Sequence, residues 1–505
     1  MRHALALLLL VLSGPGWAQS PPGFQASLVA SVLTASLDFM APRTLEAIPV
    51  SQLAIWGLRG ITSIDAGLTI EERGPVLELR QANRSVLQRP MPPAMEPASW
   101  GTVGADFMSA AWSASDVVRD AGQQALLSSF FDELFNHLDP YSRYVPPGAA
   151  DADRARRSGE AGVGLVVIRT GAGFVVQSVN GDGTGAEAGI VAGDRILAVD
   201  DQPTRGETLT TVLGWITGLE GTDVGLTLRS RAGAVRTVEA QRAVLPPETV
   251  FAQRVGELAL LRIARFSRDT DQRLSRELGR LGAGRRPRGV VLDLRGNRGG
   301  LLRQAVSATD LLMDGGLIAT TAGRNPNASH EWRAGAADAV AGLPVIVLVD
   351  GRSASSAEIM AAALGDSGRA VVVGSATLGK GLVQAKVDLP DGGELFVTWS
   401  RVLAPDGWPI QGLGVLPQVC TSQGPDALAQ QLASLDRGRL RMADAVARHH
   451  AARAPLPNAE IVELRTACPA AEGRDADMAT ARYLVDHPAA YGAALLQPAV
   501  AATRN

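Results

Sequence analysis

The chain has 505 residues, 46% of them hydrophobic and 20% charged, with 55 glycines; this balance supports large packed cores and excludes a mainly disordered or fibrous polymer. Its length fits two or three domains. A formal net charge of −3 gives no whole-molecule attraction to nucleic acid or to an acidic membrane surface.

Residues 1–18 read as a signal peptide: Arg2, an apolar run over 4–12, a Ser-Gly-Pro-Gly break, and small residues Gly16 and Ala18 flanking Trp17, with cleavage after Ala18. The apolar run is too short to span a bilayer, no later stretch reaches the roughly 18 to 20 apolar residues needed, and the mature protein is expected to be periplasmic or secreted. Residues 19–104 form an N-terminal helical region with a linker. Leu28, Val32, Leu33 and Leu37, then Leu53, Ile55, Leu58 and Ile61, recur at helical spacing. Residues 76–87 alternate like a strand, and the prolines over 89–97 mark a turn cluster. Residues 105–157 are a helical segment leading into the core, with a helix over 115–138 that ends at Asp139-Pro140.

Residues 158–244 change character, with short β-rich runs at 163–168, 174–179, 195–199, 224–229 and 235–240 and helices near 185–188 and 209–219. After a hinge at Pro246-Pro247, residues 245–420 read as an α/β core. A buried strand (289–294), a glycine turn and a helix (301–313) are followed by a strand (343–350), a turn and a helix (356–364), then strands at 370–373, 382–388 and 394–402. Residues 421–505 are a helical, Ala- and Arg-rich extension with no nameable chemistry. The fold class is therefore multidomain α+β.

Cys420 and Cys468 are the only cysteines, and in an exported chain they can pair, constraining the unfolded state by roughly 4 kcal/mol. Six scattered histidines and no Cys/His/carboxylate cluster at ligand spacing predict no metal site. Of the 48 basic residues only Lys380 and Lys386 are lysine. Lysine, unlike arginine, can lose its proton when buried, so both are candidates for base chemistry.

Gly162-Val163-Gly164-Leu165, followed by Ala188-Gly189-Ile190 and Ala192-Gly193-Asp194-Arg195-Ile196-Leu197-Ala198-Val199, resembles a PDZ domain of bacterial proteases. The resemblance implies that this glycine loop receives a peptide's C-terminal carboxylate while the peptide adds as a strand. Three later segments are Asp293 to Leu302, Gly351-Arg352-Ser353-Ala354-Ser355-Ser356-Ala357-Glu358, and Thr377-Leu378-Gly379-Lys380-Gly381-Leu382-Val383-Gln384. Together they resemble the carboxyl-terminal processing proteases, the tail-specific serine peptidases of family S41. That likeness covers about residues 115–419 and implies a PDZ module before an α/β, crotonase- or ClpP-like serine peptidase core. It also implies Ser355 as nucleophile, Lys380 twenty-five positions later as base, Gln384 as supporting amide, the N–H groups of Gly299 and Ser356 as oxyanion hole, and no cofactor. Two departures stand out: family members often have Asn-Asn-x-Gly-Gly at the turn, and many have Ala-Ser where this chain has Ser356-Ala357.

The residues themselves point the same way for separate reasons. Ser355 follows a buried strand and opens a helix, where unpaired N–H groups favour a developing oxyanion. Ser355 with Glu358 equally spells a Ser-x-x-Glu capping box, and Ser353 and Ser356 are rivals in the same turn. No histidine flanks these motifs, although His330 can approach from a distant loop. For a lysine to be neutral near pH 7 its pKa must fall by roughly three units from about 10.4. If the strand begins early enough, Lys380, Leu382 and Gln384 share one face. Lys386, next but one to Asp388, reads as an ordinary solvated cation. Two other readings remain: an α/β enzyme holding a thioester or phosphorylated cofactor, although the Gly-x-x-x-x-Gly-Lys-Ser/Thr and Gly-x-Gly-x-x-Gly patterns are lacking, and a PDZ adaptor with an inactive core. Substrates would be proteins or peptides bound by their C-terminal ends; homo-oligomerisation is left open.

Overall fold

The computed structural model describes residues 23–151, 161–171, 173–181, 183–244, 249–282 and 285–497. The signal-peptide segment and the Pro246-Pro247 hinge lie outside the described residues. The chain divides into two compact units, one of residues 1–147 with 386–396 and the other of 148–385 with 397–505.

In the first unit, Ala26–Met40 buries Val29, Val32, Leu33 and Leu37, the stripe expected from their spacing. Its partner is Pro97–Ala114, a helix that falls where the sequence suggested the end of a linker. A Cβ at Gly101 would lie 2.1 Å from Thr34 Oγ1, so the small residues of Pro97–Ala114 allow the two backbones to cross closely. Such a helix carries a weak apolar stripe and is hard to recognise from periodicity alone. Ser115 then caps Asp116–Ala121 by accepting from Val118 N–H at 3.2 Å. In place of one strand, residues 68–90 form a three-stranded antiparallel sheet, Leu68–Arg73, Val76–Gln81 and Arg84–Pro90. Its outer strands are largely solvent-facing and lack a clean apolar alternation.

The second unit holds the β-rich module and the α/β core. The module's sheet has the order Val235–Gln241, Asp223–Arg229, Arg195–Val199, Gly173–Val179, Leu165–Thr170, which leaves Leu165–Thr170 at an edge. Helix Leu209–Ile216, capped by Thr208, closes over a core of Val163, Val167, Phe174, Ile196, Val212 and Leu226.

The core sheet has six strands in the order Val250–Val255, Leu258–Ile263, Gly289–Asp293, Val345–Val349, Val371–Gly374 and Val419–Cys420. The first pair is antiparallel and the others parallel. Gly289–Asp293 and Val345–Val349 are buried at every residue, as unbroken apolar runs require when both faces of a parallel sheet are covered. Val290, Leu292, Val345 and Val347 face helices Leu302–Asp310 and Ser356–Asp366. Val291, Ile346 and Leu348 face Leu435, Ala481, Leu484, Val485 and Ala490. The helices after residue 421 are thus the second covering layer of the sheet, and Cys420 and Cys468 are joined there in a disulfide.

Candidate active site

Three adjacent parallel strands deliver the three sequence segments to one edge. Gly289–Asp293 runs into the glycine turn, its neighbour Val345–Val349 into the Ser355 turn, and the next strand, Val371–Gly374, into the Lys380 loop. Loops at the carboxyl ends of neighbouring parallel strands converge, which is why such edges host sites in open α/β sheets.

Of the three serines in the turn, two hydroxyls are committed elsewhere. Ser353 Oγ is fully buried, donates to Leu294 O at 2.8 Å and accepts from Asp350 N–H. Ser356 Oγ donates to Gly300 O at 3.1 Å. Ser355 is partly exposed and has φ 57° and ψ −117°, a strained conformation for a residue with a Cβ. An ordinary N-cap sits in the β region and accepts from the helix. The Ser-x-x-Glu box is recognisable here, but its strong half is Ser355 N–H donating to Glu358 Oε2 at 2.7 Å; the Ser355 hydroxyl makes no cap hydrogen bond of normal geometry. Ser355 is thus partly exposed at a strained strand-to-helix turn, the setting of a nucleophile elbow.

Glu358 ties the site together. It is completely buried. One carboxylate oxygen accepts from the Thr377 hydroxyl and from Gly379 N–H at 2.6 Å; the other accepts from both Ser355 N–H at 2.7 Å and Lys380 N–H at 2.9 Å. The backbone nitrogens of Ser355 and Lys380 therefore sit no further apart than two hydrogen bonds sharing one acceptor. Burial pushes the Glu358 carboxyl up, and these hydrogen bonds oppose the shift. From the last helical layer, Arg465 donates to Thr377 O at 2.8 Å and to Leu413 O. Burial pulls its guanidinium below its ordinary range, while the charge of Glu358 acts against that.

Gln384 sits on strand Leu382–Asp388, its amide N–H2 directed to Thr398 Oγ1 at 3.3 Å and Leu382 O at 3.4 Å, which turns its carbonyl oxygen elsewhere. Lys380 precedes this strand. Strand alternation therefore pairs Leu382 with Gln384 but does not extend to Lys380, and the expected shared face is corrected to a loop residue set beside Ser355 by Glu358. Lys386 is ion-paired to Asp388 at 2.8 Å and Glu394 at 3.1 Å. Asp388 foremost holds its pKa above the usual lysine value, so it remains a cation.

Gly299 (φ 93°) abuts the Ser355 turn: a Cβ there would lie 2.8 Å from Ser355 Cβ and from Ala354 O. Its N–H is not idle, donating to Asn297 Oδ1 at 2.8 Å. Asn297, fully buried, also donates to Ile263 O at 2.7 Å. To act as the expected oxyanion donor, the Gly299 N–H would have to be shared or released. The adjacent Gly300 is bridged to Phe266 through its neighbours' amide and carbonyl groups, and its own N–H makes no hydrogen bond among the described residues. Beyond the glycine turn, Leu301, His330, Trp332, Val383 and Trp399 line a cleft of about 890 Å³. His330 packs edge-on against Trp332, with centroids 4.3 Å apart.

The candidate carboxylate loop, Gly162, Val163, Gly164 and Leu165, leads directly into the edge strand. Gly164 has φ 79° and Val163 is buried, its carbonyl accepting from Gly185 N–H at 2.9 Å. Sequence reasoning flagged Glu358 only as a cap; between it and Asp366 at the far end its helix is apolar or small, and it is buried throughout, so an acid at the start of such a run is the signal that was present. Arg465 carried no signal, being distant in sequence from every site segment.

The model of peptidase family S41 matches residues 257–421, and a PDZ-domain model matches 175–230. A carboxy-terminal-processing protease of Bartonella bacilliformis is 33% identical over 306 residues, covering 59% of this chain and 70% of its own length. The chain belongs to peptidase family S41. A carboxyl-terminal-processing protease of Picosynechococcus is 34% identical over 309 residues, covering 59% of this S41 peptidase and 73% of that relative. Among solved structures, the photosystem II D1 C-terminal processing protease is similar at 25% identity with a TM-score of 0.36, covering 64% of this chain and 93% of its own. This chain is accordingly a serine-type, carboxy-terminal processing peptidase with a PDZ domain. The PDZ match begins after the candidate carboxylate loop, so that loop rests on the local sequence and geometry. No helix among the described residues is long and apolar enough to cross a membrane.

Proposed function

We propose that this S41 peptidase is an exported endopeptidase that takes the C-terminal region of a protein substrate on its PDZ domain and cleaves it with a Ser355/Lys380 dyad. The observation that carries the reading is the single Glu358 oxygen accepting from the backbone of both residues, since it brings two segments twenty-five residues apart into register. The neutral Lys380 amine takes the Ser355 proton as Oγ attacks the scissile carbonyl. The resulting oxyanion is met by the N–H of Ser356 and by one from the Gly299-Gly300 turn. Collapse expels the amine, protonated by the lysine ammonium, and leaves an acyl-enzyme that water hydrolyses through the same base. Gln384 accepts from the lysine and orients it. Substrate C-termini enter over residues 162–165 and add to the free edge of Leu165–Thr170. The Cys420–Cys468 disulfide supports an oxidising compartment and hence export.

Ser355→Ala is expected to abolish peptide hydrolysis and labelling by a serine-reactive probe while leaving the melting profile unchanged; retained hydrolysis refutes the nucleophile. Lys380→Arg is expected to be inactive at every pH up to about 10, because a guanidinium stays protonated. An active arginine variant assigns the base elsewhere.

A further inference from the structure

The PDZ domain has a second concave feature, at the end of its sheet remote from the carboxylate loop. Arg169, Arg195, Arg205 and Arg229 converge on a cleft of about 510 Å³, with Phe174 and Thr204 between them. The Arg169 guanidinium stands 5.7 Å from the centroid of the Phe174 ring. Elsewhere in the same domain arginines are neutralised, Arg236 by Asp194 at 2.5 Å and Arg242 by Asp200 at 3.4 Å. Among the described residues none of the four cleft guanidinium groups has a carboxylate partner. Four like charges around one concavity repel one another and focus a positive potential into it, a standing preference for an anion.

Position identifies the anion. Leu165, Val167 and Arg169 alternate along one strand and so share a face, and Leu165 and Val167 pack with Leu209, Val212 and Ile216 of the covering helix. A peptide whose carboxylate lies at residues 162–165 and which runs antiparallel to Leu165–Thr170 carries its upstream residues toward Arg169. We propose that the arginine cleft is the upstream half of the peptide site and selects substrates with Asp or Glu side chains roughly four to six residues before the C-terminus, at the strand's rise of about 3.3 Å per residue. This rests on the PDZ capture reading above.

The test uses the full chain carrying Ser355→Ala, so that peptides are bound without turnover. Fluorescent peptides share their last three residues and carry either Glu or Gln at the fourth to sixth positions from the end; each is made with a free and an amidated C-terminus. With a free C-terminus, the Glu peptide is expected to bind about tenfold tighter than the Gln peptide at low ionic strength, and the advantage is expected to shrink in about 0.5 M salt. Adding Arg169→Gln and Arg205→Gln is expected to erase the Glu preference while leaving the Gln peptide's affinity unchanged, which also reports an intact domain. If the Glu and Gln peptides bind equally but amidation weakens both, the inference falls and the capture reading stands. If amidation changes nothing, the capture reading itself falls. A Glu preference surviving in the double arginine variant places the selectivity elsewhere. Binding of anionic phospholipid vesicles that is lost in that variant, without Glu/Gln discrimination, makes the cleft a membrane contact and overturns the proposal.

Discussion

Glu358→Gln isolates what holds the Ser355 and Lys380 segments together. The carboxylate accepts four hydrogen bonds, two at each oxygen, whereas a glutamine amide has one accepting oxygen and an N–H2 that cannot accept. In either amide orientation two buried donors lose their partner: Thr377 Oγ1 and Gly379 N–H, or Ser355 N–H and Lys380 N–H. At about 1 to 3 kcal/mol for each unsatisfied buried donor, the change costs about 2 to 6 kcal/mol. Part of this lowers global stability, and part is relieved by loop movement that separates Ser355 from Lys380. Even the lower figure, expressed wholly as lost alignment, lowers kcat about thirtyfold. The assay pairs steady-state hydrolysis of a C-terminal peptide with a thermal melt and with binding of the same peptide to the PDZ domain. A folded Glu358→Gln protein is expected to bind peptide normally and to turn over more slowly, about thirtyfold where about 2 kcal/mol of the cost falls on alignment. Wild-type kcat in that variant would refute the bracing role.

Other consequences follow from the same geometry. Gly299→Ala places a Cβ 2.8 Å from Ser355 Cβ at a backbone φ of 93°; serine-probe labelling should fall sharply while the rest of the fold persists, and normal labelling would contradict this packing. Arg465→Met leaves the carbonyls of Thr377 and Leu413 without their donor and is expected to reduce kcat more than peptide affinity; an unchanged kcat would show that the Lys380 loop needs no brace from the last layer. The Cys420–Cys468 bond closes a loop of sequence separation 48, worth about 4 kcal/mol in the chain-entropy account, so reductant should lower the melting point of the wild type and leave a double Cys→Ser variant unmoved. Asp366, buried where the Ser356–Asp366 helix ends, is pushed up to about 7 by burial, with His450 opposing. Its native form therefore holds extra protons between about pH 4 and 7, and its contribution to stability falls as pH rises through that window. Buried His449, held down to about 3 chiefly by burial, has the opposite sign, its contribution falling as pH drops below about 6.5. The two offset each other in the wild type. Asp366→Asn keeps an acceptor for Trp408 N–H and removes one side of the balance, so denaturant melts should show an extra loss of about 3 kcal/mol between pH 6.5 and 4; parallel pH profiles would refute the pairing.

Local chemistry was legible wherever a pattern was strong. The buried strands 289–293 and 345–349 announced themselves as unbroken apolar runs, and the β-rich module by short strands between glycines. The helix of residues 97–114 was missed because it packs through small residues, and the sheet of residues 68–90 was underread because its outer strands are mostly wet. Three serines in one turn could not be ranked from residue types alone. Burial and hydrogen bonding in the folded state commit Ser353 and Ser356 and leave Ser355 partly exposed.

The sequence by itself supplied the candidates: one lysine without an acidic neighbour, three serines at a strand-to-helix turn, and glycines at the turns beside them. It also determined the periodicities that make neighbouring parallel strands out of distant segments. Only the tertiary structure decided that their loops meet at one sheet edge, that a buried glutamate and an arginine from the last layer brace them, and that four arginines with no carboxylate partner among the described residues share one cleft. These are relations between residues far apart in the chain, set by strand order and by the requirement that buried polar groups find partners, and no local window of residues contains them.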